Sequence, residues 1–166
     1  MDVGNFRELY KTELQEACSL ETQLIQALPK MAEAAHDPDL KQAMRMHLEE
    51  TRGHQQQVEA ALKRHGAKPR EHTDQSMQAM IQEAEKWAGM VRDPKLRDAG
   101  LIASAQRVEH YEIAVYGTLS TWAKELGLEE DLRMLHGILQ QEKHADDKLT
   151  SLAKSSVNPH ASAMAA

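Results

Sequence analysis

The chain has 166 residues, room for one domain with a real core. Its net charge is −6 and its pI about 5.8, with Lys and Arg scattered rather than striped, so nucleic-acid binding has no global electrostatic support. One cysteine, Cys18, rules out an internal disulfide and a Cys-rich metal site; no apolar run reaches membrane-spanning length and no signal-peptide stretch opens the chain, which together point to a reducing, cytoplasmic setting.

Aromatics are only 4 %, while Ala, Leu, Met, Gln, Glu and Lys dominate, a mixture that favours helices over strands. The first long helix is predicted from about Val3 or Asn5 to about Ala35, on a stripe of Phe6, Leu9, Tyr10, Leu14, Ala17, Leu20, Leu24, Leu28 and Met31 at three-and-four spacing. Glu21 falls on that stripe, and Pro29 predicts a kink or short break. Asp37 and Pro38 then read as an N-cap and first helical residue, opening a second long helix that ends before Gly66. Its inner face carries His47, Glu50 and His54 among Leu40, Ala43, Met44, Val58, Ala61 and Leu62.

Ala67 to Asp74 reads as a polar loop, and Gln75 to about Val91 as a shorter amphipathic helix. Asp93-Pro94 repeats the Asp37-Pro38 device and starts a third long helix that runs to about Glu125 and stops at Gly127. Its apolar positions are Leu101, Ile102, Ala105, Val108, Val115, Tyr116, Leu119 and Trp122. Glu112 lies one turn from Val108 and from Val115, so it points at the core, with Glu109 on the same side. A fourth long helix begins near Leu128 and ends near Ala153-Lys154, its stripe being Leu132, Leu135, Leu139, Glu142, Asp146, Leu149 and Ala153. From Ser155 the composition predicts a flexible tail, so the domain is placed at residues 1–154 and the tail at 155–166.

Four long helices, with short links between the first and last pairs and a long middle connection carrying its own small helix, predict an all-α, ferritin-like four-helix bundle. Every long helix then brings an acid inward: Glu21; Glu50 with His54; Glu109 and Glu112; Glu142 and Asp146. Unpaired buried charges are costly. Few Lys or Arg share these faces, and the helical period turns Arg107 and Lys143 elsewhere. Oxygen-rich ligands with imidazole suit two iron ions, or manganese, in a carboxylate centre. Glu109 or Glu112 is the expected bridge. Six carboxylates exceed what two divalent ions neutralise, so Glu109 or Asp146 is expected to lie outside direct coordination.

The other singled-out residues take plainer readings. His47 is read as a supporting partner or a satisfied core histidine, and Tyr10, Tyr111 and Tyr116 as packing in preference to a hydroxyl or radical relay near the site. Met44, Met46, Met77, Met80 and Met90 are read as core filler, Cys18 as a small buried hydrophobe and His110 as a surface residue or subunit contact.

Leu28-Pro-Lys-Met-Ala, His47-Leu-Glu-Glu-Thr-Arg-Gly-His54, Gln106-Arg-Val-Glu-His-Tyr-Glu-Ile-Ala-Val-Tyr-Gly117 and Ala123-Lys-Glu-Leu-Gly127 resemble the YciE/YciF family of ferritin-like bacterial stress proteins, over about Asn5 to Ala153. The resemblance implies a rubrerythrin-like bundle, a homodimer, and a two-metal centre in the core. Matched by motif, Glu21, Glu50, His54, Glu112, Glu142 and Asp146 take the ligand positions, with Glu109 adjoining them. Asp146 stands where rubrerythrin-type proteins more often use His, and the helix around Gln75-Ser76-Met77 lacks a cysteine expected in many relatives.

The expected function is that of a stress-response protein with two metal ions (iron, with manganese or zinc as alternatives) reacting with peroxide or dioxygen, as a ferroxidase- or peroxidase-type oxidoreductase. With no Cys-rich electron-delivery module, turnover needs an unidentified separate electron donor. The alternative is a non-catalytic bundle acting through protein partners, its metal structural or absent.

Overall fold

The structure is a computed structural model and describes residues 3–69 and 72–163. Its elements are α1 (Phe6–Ala34), α2 (Pro38–Arg64), α3 (Gln75–Met90), α4 (Pro94–Glu125) and α5 (Glu129–Leu152), followed by a π-helical turn (Ala153–Val157) and a short α6 (Asn158–Ser162). This is the all-α, ferritin-like bundle: α1 packs on α2, α4 on α5, and α2 on α5, while α3 lies on the crossover against α4 and α1.

Local chemistry sets the helix ends. Asn5 Oδ1 accepts from the Glu8 backbone N–H at 3.0 Å to start α1. Asp37 and Asp93 cap α2 and α4 in the same way, each accepting two backbone N–H bonds, with proline at the first helical position. Gly66 and Gly127 sit at φ +67° and +68°. There the chain reverses out of the helix so that Ala67 N–H reaches Leu62 C=O and Leu128 N–H reaches Ala123 C=O, both at 2.9 Å.

The apolar interior forms two clusters. One gathers Tyr10, Leu14, Val58, Leu62, Tyr116, Leu119, Leu135 and Leu139; the other gathers Met31, Leu40, Met44, Leu101, Ile102, Leu149 and Val157. On α2 the gap between them spans His47 to His54, and on α5 it holds Glu142. The bundle therefore carries its polar residues at mid-length, with oily ends above and below.

Four sequence-based expectations change. α1 runs unbroken through Pro29; proline removes one N–H, and the packing of both flanking turns, through Leu24, Leu28 and Met31, holds the helix together. Phe6 and Leu9 head the α1 stripe yet are exposed, while Tyr10 beside them is fully buried; Phe6 meets Trp122 edge-on at 5.5 Å between ring centres. Met46 and Met90 are exposed rather than core filler, whereas Met44 and Met77 are buried. Finally, the described part of the expected tail is helical to Ser162. Val157 and Ala161 bury against the second cluster's end of the bundle, and Ser156 Oγ donates to Asp37 Oδ2 at 2.8 Å. The expected loop over Ala67–Asp74 includes residues 70–71, and the tail includes residues 164–166; both lie outside the described residues.

Candidate metal centre

Each long helix delivers its polar side chain from the middle of its buried stripe. On α1, Glu21 sits among Ala17, Cys18, Leu20 and Leu24; on α4, Glu112 sits between Val108 and Val115. Glu21, Glu112 and Glu142 have no exposed surface, and His54, Glu109 and His47 show at most 7 %. Two groups result, each offering ligand atoms within 4.8 Å of one another: His47, Glu109, Glu112 and Glu142 in one, and Glu21, His54 and Glu142 in the other. Glu142 belongs to both. Its Oε1 lies 2.8 Å from His54 Nδ1 and its Oε2 lies 3.8 Å from His47 Nε2.

Glu50 and Asp146 stand apart. Glu50 is on the α2 rim, its side chain 38 % exposed, with Oε2 3.5 Å from His47 Nδ1. Asp146 turns outward, accepting a 3.0 Å hydrogen bond from Gln106 Nε2 and lying 3.4 Å from the exposed His110. Of the seven residues expected at the site, five converge in these groups, and His47 joins them. Its signal was the spacing His47, Thr51, His54, Val58, which traces the centre of the buried face of α2, whereas Glu50 lies about 60° round the helix from His47.

Electrostatics mark the region as unfinished. Among the described residues, Glu21 Oε2, Glu109 Oε2, both oxygens of Glu112 and of Glu142, both nitrogens of His47 and Nδ1 of His54 are buried without a hydrogen bond. Buried polar atoms are otherwise nearly always satisfied. Burial pushes the Glu21 and Glu109 carboxyls up to about 8, and burial with Glu142, Glu21 and Glu109 nearby raises Glu112 well above the carboxylate range. Burial alone would lower His47; Glu109, then Glu50 and Glu142, overcome it and raise the imidazole to about 9. His54 is likewise raised against burial by Glu142 and Glu21.

The donor set fits divalent cations. Carboxylates and imidazoles are the ligands of iron, manganese and zinc, and the atoms that would coordinate are buried, make no hydrogen bond and face one another. Four carboxylates (Glu21, Glu109, Glu112, Glu142) balance two divalent ions without surplus charge. Surrounding groups hold the ligands in place. Tyr116 donates its hydroxyl to Glu21 Oε1. His54 Nε2 lies 2.7 Å from Gln141 Oε1, which takes its N–H and leaves the Nδ1 lone pair on the Glu142 side, available to a cation. Arg107 and Lys143 are exposed, on faces turned away from the acids.

The other tyrosines also meet acids rather than simply packing. Tyr10 donates to Asp131 Oδ2 at 2.7 Å, and Tyr111 to Asp74 Oδ2 at 2.9 Å. Asp131 is buried and also takes Arg64 and His65 at 2.5 Å each, tying α1, α2 and α5 together.

The pattern of one domain family, described as a domain of unknown function, DUF892, matches residues 5–162. The chain belongs to the DUF892 family. Protein YciF of Escherichia coli strain K12 is 38 % identical over 162 residues, covering 97 % of this chain and 98 % of that protein. The crystal structure of the E. coli stress protein YciF superposes on this DUF892 member with a TM-score of 0.89, covering 93 % and 98 % of the two chains. YcfI from Rhodopseudomonas palustris, 40 % identical, gives 0.87 over 90 % and 95 %. A Xanthomonas campestris protein shares the DUF892 fold at 22 % identity and a TM-score of 0.78, covering 98 % of this chain and 100 % of that one.

Proposed function

We propose that this protein is a two-metal carboxylate protein of the stress response whose centre reacts with a small oxidant, peroxide or dioxygen. One observation carries the reading: four buried carboxylates and two buried imidazoles, drawn from four helices, hold nine side-chain atoms with no hydrogen bond among the described residues. His47, Glu109, Glu112 and Glu142 would hold one ion, and Glu21, His54 and Glu142 the other. Glu142 would be the shared carboxylate. Two such ions supply oxidisable electrons and open coordination positions for an oxidant.

The chain's own residues prepare that chemistry. Tyr116 and Gln141 orient Glu21 and His54. The apolar clusters on either side bury most of the ligand side chains, which strengthens the charge interactions inside. His47 carries or releases a proton beside Glu109 as the site fills, because a ligating imidazole must be neutral. Electrons for repeated turnover come from a separate reductant, since the chain's single cysteine cannot build an iron–sulfur module.

The test is elemental analysis of protein prepared without oxygen and reconstituted with Fe(II), followed by peroxide. About two ions per chain and a peroxide-dependent change in absorbance support the proposal. No metal, with an unchanged melting temperature on adding metal, rejects it. The alternative, a bundle acting through protein partners, draws on Val3, Phe6 and Leu9, apolar side chains left exposed at one end of α1.

A further inference from the structure

Next to the first ligand group lies a cavity of about 70 Å³. His47 and Glu109 are among the residues that line it, both nearly fully buried and both carrying side-chain atoms that make no hydrogen bond. Its walls are apolar, including Ala43, Met44, Ala105 and Leu149, and it opens between α2 and α5. Across the opening, Lys148 Nζ approaches Met46 Sδ at 3.6 Å, and Glu50 and His144 complete the rim.

The second ligand group has no such opening. Glu21 and Glu142 have no exposed surface, His54 has 1 %, and the ring of Tyr116 stands 6.4 Å from the His54 ring, its hydroxyl engaged by Glu21. None of these residues lines the cavity. The two halves of the site are thus unequal: one faces a small room with a door, the other is sealed.

We propose that this cavity is the binding site for a small neutral ligand of a few heavy atoms, of the size of peroxide or dioxygen, and that it serves only the ion held by His47 and Glu109. The proposal rests on the metal reading above. The room admits a few water-sized atoms, since one water needs about 10–15 Å³ of such space. Apolar walls favour neutral molecules over hydrated ions, which would leave their water behind without replacement. The ion on the Glu21–His54 side would be enclosed and would take no ligand from this cavity itself.

The experiment uses full-length protein loaded with Fe(II) under anaerobic conditions, with nitric oxide as the neutral diatomic probe, followed by stopped-flow absorbance. Met46→Trp, at an exposed position, blocks the opening without disturbing the core. Ala43→Phe fills the cavity from α2 and gives a second route to the same block. Both are expected to retain two ions per chain and to slow nitric oxide binding at least tenfold. In the unaltered protein, release of iron to a strong chelator should be biphasic, one ion leaving fast and one slowly, with Met46→Trp slowing the fast phase alone. Two ions retained, with nitric oxide entering both variants at the unaltered rate or both ions leaving together, overturns the inference and leaves the metal reading standing. Failure of the unaltered protein to hold two ions overturns both.

Discussion

Glu142 Oε1 lies 2.8 Å from His54 Nδ1, with both side chains shut away from solvent on facing helices α5 and α2. The other Glu142 oxygen faces His47. One carboxylate thus touches both ligand groups, whereas Glu21 touches one. Replacing Glu142 by Ala is therefore expected to abolish binding of both ions, and Glu21→Ala to leave one ion bound on the His47 side. Isothermal titration with Co(II) distinguishes these outcomes; two ions retained by Glu142→Ala removes its assigned role.

Support from the surrounding residues has its own measurable consequence. Tyr116→Phe keeps the ring and deletes the hydroxyl that holds Glu21; Gln141→Leu deletes the acceptor that fixes the His54 ring. Each is expected to weaken metal binding by about 10–100-fold. Circular dichroism should show the helical content unchanged.

The metal-free protein should have an unusual pH dependence. Glu21 and Glu109 are raised to about 8, and His47 to about 9. All three shifts are upward from the unfolded values, so the folded state holds more protons than the unfolded state between about pH 4.5 and pH 9. Stability gained from those protons is complete below the unfolded values and is lost as pH rises through the folded ones. The melting temperature of the metal-free protein is expected to fall by at least about 5 °C between pH 5 and pH 8.5, measured by calorimetry in chelator. Saturating metal should remove or reverse that slope, because ions require the deprotonated ligands. A melting temperature that rises with pH without metal contradicts the assigned shifts.

Asp131 offers a test of the frame apart from the metal. It is buried, and burial opposes its charge, but Arg64, His65 and Tyr10 outweigh that and hold its carboxyl below the usual range. Asp131→Ala leaves Tyr10 and His65 without this acceptor and Arg64 with only its exposed ion pair to Glu130. The expected loss is about 3 kcal/mol in urea denaturation, the range for breaking one side of a buried ion pair. Metal stoichiometry should remain at two.

Much of the bundle can be read directly from spacing and punctuation. Asp37-Pro38, Asp93-Pro94, Gly66 and Gly127 mark ends by local chemistry that needs no tertiary context, and the structure uses each of them as written. Glu21 and Glu112 could be recognised because each lies at the centre of a long apolar stripe. Glu50 and His47 were harder to tell apart, since both border the same face and only the full line through Thr51 and Val58 shows that His47 is nearer its middle. Asp146 could not be separated from Glu142 by period at all. What turns it outward is Gln106 on the neighbouring helix, a partner set by tertiary packing. Asp98 was invisible for the same reason: its buried carboxylate accepts the backbone N–H groups of His36 and Asp37 at 2.7 Å, closing the α1–α2 link from sixty residues away.

The π-helical turn at Ala153–Val157 winds more loosely than the α-helices on either side of it. Chain length is consequently negotiable there. Dropping one residue from that turn lets it tighten to ordinary winding while Leu149 before it and Ala161 after it keep their seats, a tolerance to deletion that the same cut just before Glu142 would not enjoy, since Glu142 and the rest of α5 would rotate by about 100° against the bundle.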